Sequence, residues 1–186
     1  MSARIGLSGS AGTGKTTLGR RLAHELGVPF LAERMRERLE RGFDVHGLSP
    51  ADWRALIAED WDAQRAAEER AGAFVADRSS LDYAAFWLHY GLHEEAEPTD
   101  AWMERMFADA RRYDRILLFP WGRLPLAADG IRSTNRWTQL RFQTVLEGLA
   151  ERFAPPEILL RVPATDDLEQ RVAFVLAELA GCRERA

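Results

Sequence analysis

The stretch Gly9-Ser10-Ala11-Gly12-Thr13-Gly14-Lys15-Thr16 satisfies every fixed position of the phosphate-binding pattern G-x-x-x-x-G-K-[ST]. No other eight residues constrain the fold as strongly, because the pattern works only between a strand and a helix. Ile5-Gly6-Leu7-Ser8 before it has the character of a short buried strand, and Leu18, Leu22 and Leu26 after it keep helical spacing until Gly27. The glycines let successive backbone N–H groups turn inward on an anion. A helix starting near Lys15 adds free amide donors and the positive end of its dipole, Lys15 is placed to reach β- and γ-phosphate oxygens, and the Thr16 hydroxyl is placed to ligate Mg²⁺. The expected nucleotide-binding set is therefore Gly9, Ser10, Ala11, Gly12, Thr13, Gly14, Lys15, Thr16 and Thr17. Lys15 is the only lysine in the chain. Arginine's broad fork does not fit between phosphates as a compact ammonium does, although a compositional bias would leave the same pattern.

Downstream, Val28 to Ala32 has strand character and runs into Glu33, after which Glu33 to Arg41 alternates charges as a helix does. Two readings of Glu33 stand open: a solvated acid, or a carboxylate on the rim where open α/β sheets bind ligands. Ser49-Pro50-Ala51-Asp52 is a helix start, and the helix should run to about Arg70 with Trp53, Leu56, Ile57 and Trp61 on one face. Ala73-Phe74-Val75-Ala76-Asp77 is an apolar run of strand length ending in an acid, which makes Asp77 a candidate for holding Mg²⁺ together with Thr16. Leu81 to Tyr90 is expected to be a helix whose aromatics, Tyr83, Phe86, Trp87 and Tyr90, suit a core better than a stacking platform. His89 and His93 lack the glutamate of a zinc-protease motif. Glu94 to Asp100 is expected as an acidic loop before a helix capped by Thr99 or Asp100. Strands are expected over Arg115 to Phe119 and Glu157 to Val162, and helices from Ser133 to Phe153 and after Asp167. Arg123, Arg132, Arg136 and Arg141 gather where a loop enters the Ser133 helix, as a lid over a transferring phosphoryl group requires.

The set Gly9 to Thr16, Glu33-Arg34-Met35-Arg36, Asp77-Arg78-Ser79-Ser80-Leu81-Asp82-Tyr83 and Asp129-Gly130-Ile131-Arg132, in this order, resembles P-loop kinases. The chain resembles the ribosylnicotinamide (nicotinamide riboside) kinase-like AAA ATPase family, and more distantly the deoxynucleoside kinases. The resemblance implies an α/β P-loop NTPase fold, three-layer α/β/α, with a five-stranded parallel sheet of order 2-3-1-4-5 and a helical lid at about 121–141. It implies transfer of the ATP γ-phosphoryl group, with Mg²⁺, to a hydroxyl of a nucleoside-like or other small molecule. Family roles would fall on Lys15 in the loop, Glu33 as base, Asp77 near the metal, Arg78 at the acceptor and phosphates, and Arg132 and Arg136 in the lid. Residues Arg123 to Ala128 separate Trp121 from Asp129, a departure from the riboside kinases that leaves the acceptor open.

Other classes are constrained by what the chain lacks. A guanine-reading Asn-Lys-x-Asp element needs a second lysine, and an acidic Walker-B pair is missing because Arg78 follows Asp77. A regulatory nucleotide-binding module with slow or no phosphotransfer remains the rival to a kinase. With 186 residues, 46% hydrophobic and 29% charged, one domain over 1–186 is expected. The net charge of −4 argues against a broad nucleic-acid or anionic-membrane surface, leaving a small-molecule acceptor as the expected partner. The single cysteine, Cys182, permits no internal disulfide and no cysteine-type zinc site. No apolar run approaches the ~20 residues of a membrane span and no leader pattern precedes the first strand, so a cytoplasmic location is expected.

Overall fold

The computed structural model describes residues 3–45, 47–122, 124 and 135–183. Its strands are β1 (Arg4–Ser8), β2 (Phe30–Leu31), β3 (Phe74–Asp77), β4 (Arg115–Leu118) and β5 (Leu159–Arg161). All pairings are parallel and the order is β2-β3-β1-β4-β5, as the resemblance implied. The helices are α1 (Lys15–Leu26), α2 (Arg34–Glu40), α3 (Pro50–Ala71), α4 (Ser80–His89), α5 (Ala96–Ala110), α6 (Arg136–Phe153) and α7 (Leu168–Arg183).

Strand periodicity explains the layers. Val75 and Leu117 point into a core with Ile5, Leu7, Leu18, Leu22, Val172 and Val175, where α1 and α7 cover one face of the sheet. Their neighbours Phe74, Ala76, Ile116 and Leu118 point the other way, against Trp61, Leu81, Trp102, Met106 and Leu146 from α3 to α6. Both faces are covered, which is why the strands are near-continuous apolar runs. No helix among the described residues is long and apolar enough to cross a membrane.

Helix starts follow local chemistry. Ser49 and Asp52 form a capping box ahead of α3, with Pro50 in the first turn, and Ser79 and Asp82 form another ahead of α4. Two helix starts differ from expectation, and the first is α5, which begins at Ala96, inside the expected acidic loop. Pro98 fits because first-turn N–H groups have no helical partner to lose. Thr99 is inside the helix instead of capping it, donating to the Leu92 carbonyl and accepting from Trp87 Nε1. Asn135 caps α6, accepting from the Trp137 N–H at 2.9 Å, so that helix starts later than Ser133, which lies outside the described residues.

Gly19 lets α1 lie against the sheet. A Cβ there would stand 2.4 Å from Leu7 Cδ1 and 2.6 Å from Phe30 Cε2. Gly19→Ala is expected to lower stability by about 1–3 kcal/mol through overpacking, outweighing the ~1 kcal/mol by which alanine favours a helix. Urea denaturation checks it, and a midpoint at or above that of the native chain would contradict the close approach.

Candidate active site

Gly12 and Gly14 take φ of 73° and 88°, and the chain turns from β1 through them into α1. Lys15 is 5% exposed, and its Nζ donates to the Ser10 carbonyl at 2.6 Å. Burial pulls its pKa down to about 7; the Arg78 charge adds to the shift, while Asp77, Asp82 and Glu33 oppose it. The front of the loop is tied to α6: the Ser10 N–H donates to Gln143 Oε1 at 2.8 Å and the Ala11 N–H to Gln139 Oε1 at 3.1 Å. Gln143 spends its amide on the Phe119 carbonyl and Glu147. Neither glutamine was singled out in the sequence, since their partners lie 128 and 133 residues away.

Asp77 ends β3 beside Leu7 of β1, 2% exposed. Thr16 Oγ1 donates to its Oδ2 at 2.5 Å, and its Oδ1 is buried without a partner among the described residues. A hydroxyl and a carboxylate with an unused oxygen, beside a phosphate loop, form a hard-oxygen donor set that suits Mg²⁺ completing its shell with phosphates and water. No group of three or more His, Cys, Asp or Glu among the described residues could hold a metal alone, and His89 instead takes Arg141 Nε at 3.4 Å.

Arg78 joins the loop to the other strands. Its φ is 118°, the one positive value at a non-glycine among the described residues. Strain of this kind costs of order 1–3 kcal/mol and persists only where surroundings hold it. Here Nε donates to Glu33 Oε1 at 3.0 Å, and Nη1 donates to the Gly9 carbonyl at 2.6 Å and to Asp82 Oδ1 at 2.8 Å. Behind it, Gln64 Nε2 donates to the Arg78 carbonyl at 2.9 Å, and Gln64 Oε1 accepts from Tyr83 OH. Burial works against the guanidinium charge, but Glu33, Asp82 and Asp77 together overcome it and raise the Arg78 pKa above the ordinary arginine value. Of the two arginines that follow Glu33 in the chain, Arg34 reaches Asp60 and Arg36 reaches Glu40. Arg78, 45 residues on and directly after β3, donates to Glu33.

Glu33 also lines a narrow cleft with Met35, Trp53, Ile57, Asp60, Tyr83, Phe86 and Tyr90. The expected division of aromatics is therefore split: Tyr83 and Trp87 are core, whereas Tyr90 stacks on Trp53 at 3.9 Å and on Phe86 at 6.1 Å. Asp60 is 1% exposed, with Oδ1 held by Arg34 and Arg38 and Oδ2 unpartnered among the described residues. An acid on the buried stripe of α3, three residues after Ile57, was the signal for it in the sequence.

The remaining candidates do not meet here. Arg136 lies over the rings of Trp121 and Trp137, and Arg141 donates to the His89 carbonyl. Arg123, Arg132 and the Asp129-Gly130 pair lie outside the described residues.

A five-stranded parallel sheet of this order, with a glycine-rich phosphate loop after its first strand, defines a P-loop nucleotide-binding domain. Residues 4–171 match the model of the AAA domain family, and the chain belongs to that family. The solved structure of NadR protein in complex with NR is similar over 96% of this chain and 48% of its own, at 22% identity and a TM-score of 0.66. NadR protein in complex with NAD and AMP-PNP is similar over 92% and 50%, also at 22% identity and 0.66. The chain thus spans about half the length of those proteins. Deoxyadenosine kinase from M. mycoides, with products dCMP and a flexible dCDP bound, is similar over 95% of this chain and 98% of its own, at 12% identity and 0.67. At these identities the likeness is one of fold. No curated protein matches the sequence.

Lys15 supplies a test of the loop. A polyanion beside it would lift its pKa from about 7 back toward the ordinary value, so nucleotide binding above pH 7 takes up a proton. Calorimetry at pH 8 in buffers of differing ionisation enthalpy should show uptake of about one proton per ADP, with affinity falling as pH rises further and no uptake in Lys15→Met. Binding without proton uptake, if Lys15→Met also keeps its affinity, would place the phosphates elsewhere; if Lys15→Met loses affinity, Lys15 is already charged in the free protein.

Proposed function

We propose that this protein is an ATP-dependent kinase that transfers the γ-phosphoryl group to a hydroxyl of a nucleoside-like small molecule. The observation that carries this reading is the Glu33–Arg78 pair, which is shared by two sites. Its carboxylate lines the aromatic cleft, and its guanidinium bonds the Gly9 carbonyl of the phosphate loop. An acceptor held against Trp53, Phe86 and Tyr90 has a planar apolar platform for a base, while Asp60 Oδ2 offers an acceptor for a second hydroxyl.

In this reading the loop amides and Lys15 bind the donor phosphates. Thr16 and Asp77 hold Mg²⁺, which when bound neutralises charge on the phosphate oxygens. The acceptor hydroxyl gives its proton to Glu33 as its oxygen bonds the γ-phosphorus, and the bond to ADP breaks. Arg78 keeps Glu33 ionised beforehand and lies where charge develops on the transferred group. The resemblance assigns lid roles to Arg132 and Arg136; Arg136, which lies over the Trp121 and Trp137 rings, would have to leave them to reach the donor.

The direct test is ADP release with and without a panel of acceptors, headed by ribosylnicotinamide and the deoxynucleosides and extending to small alcohols. Turnover that depends on acceptor is expected; slow release indifferent to every acceptor would fit the regulatory module instead. Glu33→Gln should lower kcat by about 10²-fold with ATP affinity nearly unchanged. A collapse of ATP affinity would move Glu33 to the donor side, and no change in either would return it to a structural role with Arg78. Asp77→Asn should weaken Mg²⁺-dependent nucleotide binding more than metal-free binding. Equal losses in both would make its bond to Thr16 structural.

A further inference from the structure

Arg171 lies in the first turn of α7 and is 3% exposed. Its Nη1 donates to the Thr13 carbonyl at 2.9 Å and stands 3.0 Å from where a Cβ on Gly14 would be. The guanidinium therefore rests against the middle of the phosphate loop, 5.9 Å from the Phe119 ring centroid on its other side. Its Nε and Nη2 are buried and have no hydrogen-bond partner among the described residues. Desolvation pulls its pKa below the ordinary arginine value, and the Asp166 charge only opposes this. Arg78 is different: its burial is compensated by two carboxylates within ion-pair distance.

A buried cation with no ion-pair partner among the described residues is expensive, and a fold that keeps one beside an anion nest has left room for the anion. We propose that Arg171 is a donor-binding residue whose unpartnered N–H groups receive the phosphate chain of a nucleoside di- or triphosphate at its nucleoside end. The sheet order supports that end. Glu33 and Arg78 approach the loop from β2 and β3, on the acceptor side, whereas Arg171 comes from the element after β5, at the opposite edge. A donor with its γ-phosphate toward Glu33 presents its proximal phosphates to Arg171. This assignment rests on the kinase reading for the donor's direction, and on nucleotide binding for everything else.

The test uses the full chain, Arg171→Met and Arg171→Lys, measuring ADP affinity by calorimetry and thermal unfolding without nucleotide. Methionine keeps an apolar stem against Phe119 and removes the charge; lysine keeps a charge without the fork. Arg171→Met should weaken ADP binding by about tenfold or more while leaving the nucleotide-free Tm equal or higher, and Arg171→Lys should recover most of the affinity. Unchanged ADP affinity in Arg171→Met would overturn the proposal. So would a nucleotide-free Tm lowered in both variants, which marks a structural role. An equal loss of affinity in both variants also overturns it, since that marks a contact needing the planar fork, such as one to the base. Acceptor-dependent ADP release by the native chain separates the two readings. If it is absent while ADP binds and Arg171→Met loses that binding, the kinase reading fails and the donor contact stands. If it is present and Arg171→Met binds ADP normally, only the donor contact fails.

Discussion

Three separate pieces of chain meet at one buried guanidinium. Arg78 bonds Glu33 at the end of β2, Gly9 at the end of β1 and Asp82 in the first turn of α4, and it does so from a backbone conformation that a side chain rarely adopts. A buried ion pair is weak evidence for net stability, because desolvation offsets attraction. Its value here is geometric. With two carboxylates and a carbonyl around one planar cation, the mouths of β1, β2 and β3 can take few other relative positions, and that fixes the distance between the phosphate loop and the aromatic cleft. The Gln64 amide behind the Arg78 carbonyl closes the arrangement, and Glu68 and Tyr113 continue it away from the site. The Glu68 carboxyl carries the cost of that support, since burial pushes its pKa up to about 7.

The loop is held from two sides by different chemistry. On one side, neutral glutamines of α6 take the Ser10 and Ala11 amides; on the other, Arg171 takes the Thr13 carbonyl. The anchored groups are the front amides and a carbonyl. The helix-entry segment through Lys15 to Thr17, with its dipole, is the part that the phosphate pattern assigns to the ligand. Rigid anchors of this type reduce the ordering that binding would otherwise require.

Much of this was legible in the sequence where it depends on neighbours along the chain. The phosphate pattern, the strand ending in Asp77, the Ser49 helix start and the position of Glu33 after a short strand all follow from spacing over fewer than ten residues, whereas the Ser79 cap of α4 emerged only in the fold. The sheet order came with the resemblance. What was not legible depends on pieces meeting across the fold. Nothing local marks Arg78 as the partner of Glu33 when Arg34 and Arg36 stand beside it, yet those two reach Asp60 and Glu40. Gln139, Gln143 and Arg171 look like ordinary polar surface in a helix pattern, and only tertiary packing brings them to the loop. The start of α5 was misplaced because Glu94 to Asp100 reads as an acidic loop, although acids suit a helix's first turn and Pro98 is accepted there.

The cations around the site differ in how their charge is balanced, and on the proposed reading that difference orders the chemistry. Arg78 is matched in the resting protein by Glu33 and Asp82, so it contributes little free attraction for a donor. Lys15 is only weakly held in its charged form and Arg171 has no ion-pair partner among the described residues, so a polyanion entering the loop satisfies both at once. Donor binding then draws on Lys15 and Arg171, while Arg78 stays committed to the acceptor base. When the acceptor hydroxyl passes its proton to Glu33, one of the two charges matching Arg78 disappears as negative charge builds on the group being transferred. The guanidinium is released toward the phosphoryl group by the same proton transfer that creates the need for it, so on this reading the pair couples base and electrophile.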